Sequence, residues 1–197
     1  MQLVDIRSLG QSLKILHETY HVPNVVISSI PLKQWLIDAL PAHMRPTDND
    51  YLLCICSSTV DLEGVEGLST VHAQYVPLIP GYFSGVGDLF SALLLGHFET
   101  NSCLPSNGET HLSYATSMAL TKTHAVLEST YQYTLTLPED ERQLTDAEKD
   151  AADPVRKLRR MRGRELRLVQ AEGQQIIRSV DNINIRRMEP WIDFWKL

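Results

Sequence analysis

The sequence predicts an α/β layered sheet flanked by helices. Three observations carry that prediction. Segments with helical spacing alternate with β-branched, strand-like runs. The chain has 197 residues, 43% of them hydrophobic, enough for one domain with its own core. No apolar run approaches the roughly 20 residues that a membrane span needs.

DIRSLGQSLKILHETYH places Ile6, Leu9, Leu13, Leu16 and Tyr20 three or four residues apart, the pattern of an amphipathic helix. Pro23 follows, close to where such a helix must stop. NVVISSI is β-branched throughout and predicts a buried strand. PLKQWLIDALP is a short helix or a loop covering the sheet. YLLCICSS predicts a second strand, DLEGVEG a polar turn and VHAQYVPLI a third strand. LFSALLLGHF is apolar almost all round, which predicts a helix buried on most sides. After a loop at LPSNG, one long helix is expected from about His111 to Tyr133, with Leu112, Ala115, Met118, Ala119, Val126 and Leu127 on one side.

PEDERQLTDAEKDAADP, residues 138–154, is acidic, and RKLRRMRGR, residues 156–164, is basic. Together they predict a solvated insertion whose two halves attract each other. The basic run alone would also suit nucleic acid or a nuclear-targeting signal. ELRLVQ then predicts a strand and AEGQQIIRSV a short helix or turn. The tail, INIRRMEPWIDFWKL, carries Trp191 and Trp195 and is expected to add an edge strand or cover the core.

The net charge of −6 argues against nonspecific nucleic-acid binding as the main task. MQLVDIRSLGQ lacks the basic and apolar regions of a secretory signal, so a cytoplasmic protein is expected. Cys54, Cys56 and Cys103 have no framework spacing and are read as reduced thiols. Cys54 and Cys56 share one face of a strand, as small buried side chains rather than metal ligands. His17 and His21 are four apart and could ligate a metal on a helix, but no HExxH-type carboxylate accompanies them, and no metal ligand is assigned.

The chemistry concentrates at SGVGDLF, residues 84–90. A helix N-terminus exposes unpaired N–H groups and the positive end of its dipole, and anions bind there. Glycines before such a helix let the backbone approach a ligand. Gly85 and Gly87 between a strand and a helix are therefore consistent with a phosphate cradle, and equally with a simple turn. Asp88 is either a capping or first-turn acid or a base that takes a proton from an attacking hydroxyl. The loop is not a Walker A motif, because no Lys-Ser/Thr pair follows.

FSGVGDLFSALLLGHF resembles the signature of pyridoxal kinases, of the ribokinase-like superfamily, in which a Gly-x-Gly-Asp-Leu-Phe loop opens a helix. HETYHVPNVVISSI, YLLCICSS and ELRLVQ are similar to further family segments in the same order, so the resemblance runs from about residue 5 to about 180, leaving the charged insertion outside it. The form with Val86 between the glycines looks most like fungal members. The resemblance implies Asp88 as the base acting on the primary hydroxyl of pyridoxal, pyridoxine or pyridoxamine. It implies the backbone of Gly85, Val86 and Gly87 as an anion hole for the transferring phosphoryl group. Ser28 and Ser29 match strand-end hydroxyls near the ATP phosphates, and Phe83 and Ser84 approach the nucleotide. Many relatives carry Thr where this chain has Val86, so that hydroxyl is lost. The family further implies ATP with Mg²⁺, a monovalent cation such as K⁺, and a homodimer.

The resemblance also implies absences. The family's signature loop sits late in the chain, whereas Asp88 is less than halfway along this one. The N-terminal half, with the first strands of a central parallel sheet and most of the vitamin pocket, has no counterpart. None of the asparagines at 24, 49, 101, 107, 182 or 184 starts the family's Asn-x-x-Glu motif, which helps organise Mg²⁺. Residues 1–197 are therefore expected to be a partial ribokinase-like domain, weakly active or inactive alone. The alternatives are a non-catalytic module that binds nucleotide or a partner, and a different ribokinase-like kinase.

Overall fold

Asp5 and Ser8 start the first helix by capping each other. The Ser8 N–H donates to Asp5 Oδ1 at 2.7 Å and the Asp5 N–H donates to Ser8 Oγ at 3.1 Å. Helix α1 spans Ile6–Lys14 and continues as a π-turn over Ile15–Thr19. The computed structural model describes residues 3–46, 50–60, 67–100, 109–142, 146–173, 175–179 and 184–197. The turn at 61–66, the loop at 104–108 and Cys103 lie outside them. The chain forms two units: Met1–Leu78 with Gly96–Met118 and Arg186–Leu197, and Ile79–Leu95 with Ala119–Ile185.

The first unit holds the sheet. Strand β1 is Asn24–Pro31, helix α2 Gln34–Ala39, β2 Tyr51–Ser58, β3 Thr70–Pro77 and β4 Glu189–Pro190. Their order is β1-β2-β3-β4 and every pairing is antiparallel, in place of the parallel sheet expected. Only eleven residues separate β2 from β3. A parallel crossover typically needs a dozen or more, usually with a helix, so an antiparallel return is the natural outcome. β1 lies at one edge of the described sheet, so much of NVVISSI is half-exposed rather than buried.

The pleat sends alternate residues of β2 to opposite faces. Leu53 and Ile55 join a core with Leu9 and Leu13 of α1 and Leu36 of α2. Cys56 bonds instead to Thr116, near the start of the long helix α4, His111–Thr136. Burial pushes the Cys56 thiol up to about 12 and also raises that of Cys54 well above its ordinary value, so both stay protonated, inert packing groups. Both ring nitrogens of His17 have partners. Its Nδ1 lies 2.7 Å from the Val22 carbonyl and its Nε2 2.7 Å from Ser57 Oγ, which in turn bonds Ser69 Oγ at 2.7 Å. His21 sits past the helix end at φ 53°. The tail both adds a strand and covers the core. The Trp191 N–H donates to the Val71 carbonyl at 2.8 Å, and the rings of Trp191, Phe194 and Trp195 meet edge to face.

In the second unit, the helix after the glycine loop, α3 (Val86–His97), is less buried than its composition predicts. Phe90 and Leu93 are buried, but Leu95 is 78% exposed. Helix α4 departs in the other direction. Its residues from Leu112 to Thr123, divided between the two units, are buried apart from half-buried Tyr114, Ser and Thr included. Thr116, Ser117 and Thr130 each donate to the carbonyl one turn back at 2.7 Å, which removes the cost of burying a hydroxyl. Even Lys122 is buried, its ammonium donating to the Ile177 carbonyl at 2.5 Å.

The charged insertion is mostly exposed, as expected, and carries two short helices. Asp146 caps α5, Ala147–Ala152, and Asp153 caps α6, Pro154–Arg162. Asp150, 8% exposed, takes the guanidinium of Arg156 on one carboxylate oxygen and that of Arg160 on the other. The two halves do attract each other, through this buried pairing. ELRLVQ is extended only at its start. Glu165 makes a single bridge with Ser84, and from Leu168 the chain turns into α7, Leu168–Gly173. Arg167 supports that turn, its N–H donating to Thr130 Oγ1 and its guanidinium lying 3.8 Å over the Tyr133 ring.

The hydrogen bond from Arg160, together with the two guanidinium charges, holds the Asp150 carboxyl below its ordinary value. A depressed folded-state value stabilises the protein above the unfolded carboxyl value of about 3.9, and the contribution is lost as pH falls through the folded value. Asp150→Asn is expected to lower the melting temperature by several degrees at pH 7. The gap from the parent should narrow below about pH 4. Melting curves across that range check it, and a gap that stays constant with pH would contradict the pairing.

Candidate functional site

The glycine loop and its helix lie in the second unit. Gly81 at φ 111° and Gly85 at φ 82° adopt backbone angles that side chains rarely tolerate. Gly85 precedes α3, and its carbonyl accepts the Leu89 N–H at 3.0 Å, closing the first turn. The N–H groups of Val86, Gly87 and Asp88 in that turn have no carbonyl within the helix to pair with. They cluster at the positive end of the helix dipole.

Gly87 differs from the other two. It lies inside the first turn, and a Cβ built on it meets nothing within 4 Å. Neither backbone angle nor packing calls for glycine there, and helix propensity disfavours it. Glycine at such a place leaves room for a ligand to meet the backbone. Asp88 is the third helical residue and is exposed. It is a first-turn acid rather than a cap, favoured by the dipole. Among the described residues no hydrogen bond or ion pair engages its carboxylate.

Phe83 is half-buried and Ser84 exposed. The Ser84 N–H donates to the Arg164 carbonyl at 3.0 Å beside the bridge to Glu165. The structure thus keeps Phe83 to Asp88 as one braced turn. Ser28 and Ser29 belong to the first unit, and not to a strand end. Ile27 pairs with Ile55 and Ile30 with Leu53, so both serines oppose Cys54 in a bulge within β1. Ser29 is exposed and Ser28 half-exposed. Sequence reasoning assigned no role to Arg164, which it left in the basic run. The spacing of four from Arg156 to Arg160 to Arg164 gives no signal for it either, because α6 ends at Arg162, before Arg164.

No protein-family model matches the chain. A Schizosaccharomyces pombe protein assigned to the pyridoxal kinases is 31% identical over 134 residues, 66% of this chain and 37% of that relative. A Saccharomyces cerevisiae protein assigned likewise is 37% identical over 87 residues, 44% of this chain and 21% of that relative. The chain is a relative of the pyridoxal kinases. It spans well under half the length of these two. The solved pyridoxal kinase of Leishmania donovani, in complex with ADP and pyridoxamine, matches with a TM-score of 0.56 at 16% identity, over 95% of this chain and 45% of that one. The Plasmodium falciparum enzyme, with AMP-PNP and PL, matches with a TM-score of 0.51 at 20% identity, over 93% of this chain and 43% of that one. The fold, an antiparallel sheet flanked by helices, is therefore a partial ribokinase-like one that matches these solved structures.

The two loop glycines have separable roles. Gly85→Ala forces a side chain into the left-handed region and is expected to cost about 1–2 kcal/mol. Gly87→Ala removes a glycine from a helical turn with open space around it, and is expected to leave stability unchanged or raise it by up to about 1 kcal/mol. Chemical denaturation of both variants checks this, and equal losses would contradict the distinction.

Proposed function

We propose that Gly85, Val86, Gly87 and Asp88 form the phosphoryl-transfer corner of an ATP-dependent pyridoxal kinase. The observation that carries this reading is the open space at Gly87, one residue from an unengaged carboxylate, at the positive end of a helix in a chain related to pyridoxal kinases. The substrates are pyridoxal, pyridoxine or pyridoxamine and ATP. The primary hydroxyl of the vitamer attacks the γ-phosphorus, and its proton passes to the Asp88 carboxylate. The bond from phosphorus to the bridging oxygen breaks, and ADP leaves. The first-turn N–H groups stabilise the charge on the transferring group by hydrogen bonds already in place. Phe83 and Ser84 on the loop are assigned to the nucleotide. The ligands in the solved structures, ADP with pyridoxamine and AMP-PNP, support that pair of substrate classes.

Among the described residues no group of three or more His, Cys, Asp or Glu side chains is placed to hold a metal ion. Mg²⁺ and K⁺ therefore enter the proposal only as companions of the nucleotide, and no step passes through them. Also among the described residues, no helix is long and apolar enough to cross a membrane. A homodimer acting in the cytoplasm, or in the nucleus if the basic run is read as a targeting signal, completes the proposal. A second reading draws on the share of the relatives that the chain spans, 37% and 21%. In it the chain binds nucleotide, or a partner, without catalysing transfer, because transfer needs both substrates and the base held together.

An ATP-dependent assay for pyridoxal 5′-phosphate, run beside calorimetric titration with ATP, separates the two. Turnover at least about tenfold below that of a full-length pyridoxal kinase is expected, with Asp88→Asn lowering it by a further factor of about 10²–10⁴ while ATP affinity holds. ATP binding with no turnover would favour the second reading. An Asp88→Asn variant as active as its parent would remove Asp88 from the role of base.

A further inference from the structure

We propose that Arg164 is a positioning residue for the glycine loop, its guanidinium and carbonyl together fixing the path of Gly81–Ser84 into α3. The proposal rests on the phosphoryl-transfer reading of that loop. Arg164 is 8% exposed, and its Nη1 donates to the Tyr82 carbonyl at 3.3 Å. Its own carbonyl accepts the Ser84 N–H at 3.0 Å. One residue thus grips the loop at both of its flanking positions, two residues apart. Gly81 fits the same picture. A Cβ there would stand 3.7 Å from Arg164 Nη1 and 3.7 Å from the Phe83 ring, and the φ of 111° already excludes most side chains. The left-handed glycine lets the backbone pass close beside the guanidinium.

Arg164 is itself held in place. Its N–H donates to the Met161 carbonyl at 2.9 Å. The preceding carbonyl, of Gly163, accepts Thr134 Oγ1 at 2.7 Å. Two residues on, Leu166 reaches within 3.9 Å of the Cβ position of Gly85. Upstream, Asp150 takes the charges of Arg156 and Arg160. The insertion therefore acts as a scaffold that delivers a buried cation to the loop, where it also favours negative charge. The lever is geometric: a loop fixed by two bonds presents its helix N–H groups at constant spacing, and phosphate recognition depends on that spacing.

The test uses the whole chain and the variant Arg164→Met, with amide hydrogen exchange across residues 81–88 and titration with ATP and with adenosine. Exchange in that segment is expected to speed up by about tenfold or more while β2 and β3 keep parental protection. ATP affinity is expected to fall about tenfold, with adenosine affinity unchanged, since adenosine lacks the phosphates. A purely structural role would weaken both ligands alike or loosen β2 and β3 as well, and either result overturns the proposal, as does parental exchange at the loop. If Arg164→Met fails to fold, Arg164→Gln, shorter but still polar, carries the same exchange test. A parent chain that binds no ATP would overturn the kinase reading, and the bracing role would then stand or fall on the exchange data.

Discussion

A buried hydroxyl needs a hydrogen-bond partner inside the protein, and α4 meets that demand with its own backbone. Thr116, Ser117 and Thr130 turn back to carbonyls one turn earlier, so a helix rich in Ser and Thr can be buried as fully as an apolar one. The same oxygens then serve a second purpose, because a hydroxyl accepts as well as donates. In the first unit, Ser117 Oγ receives the Met188 N–H at 2.9 Å and ties the tail in place just before β4. In the second, Thr130 Oγ1 receives the Arg167 N–H and Thr134 Oγ1 reaches the Gly163 carbonyl. The segment fixed this way, 163–167, is the one that braces the glycine loop. The site thus depends on polar satisfaction within a helix that contributes no residue to it.

The loop shows how three glycines in one stretch answer three different demands. Gly81 passes a guanidinium, Gly85 turns the chain into a helix at positive φ, and Gly87 leaves open space at the helix start. Only the last lacks a reason within the fold. The unengaged carboxylate of Asp88 is next to it on a rigid element, since the first turn is closed by the bond from Leu89 to Gly85. Strain and satisfied bonds define the frame of the loop, and they leave the space at Gly87 open.

Much of the fold was legible because its signals are local. YLLCICSS forms β2 over the residues its pattern marks, the amphipathic spacing from Ile6 gives α1, and the two tryptophans of the tail cover the core. The loop was legible as a loop opening a helix. Errors arose where pairing decides the outcome. NVVISSI has the composition of a central strand yet lies at an edge of the described sheet, and ELRLVQ has strand-like alternation yet makes a single bridge before coiling. Composition misjudged the helices too. LFSALLLGHF exposes Leu95 although nearly every residue is apolar, whereas α4 buries its hydroxyls.

By itself the sequence determined the order of elements from α1 to α4 and the likeness to pyridoxal kinases, because each is written in residues adjacent along the chain. Only the tertiary structure decided that the sheet is antiparallel, that Ser28 and Ser29 sit in a bulge rather than at a strand end, and that Asp150 is shared between two arginines of the charged segment. The physical reason is the range of the interactions involved. Propensity and capping act over a few residues. Strand pairing, the sharing of Asp150 between Arg156 and Arg160, and the reach from Arg164 to Tyr82, 82 residues away along the chain, arise only when distant segments meet.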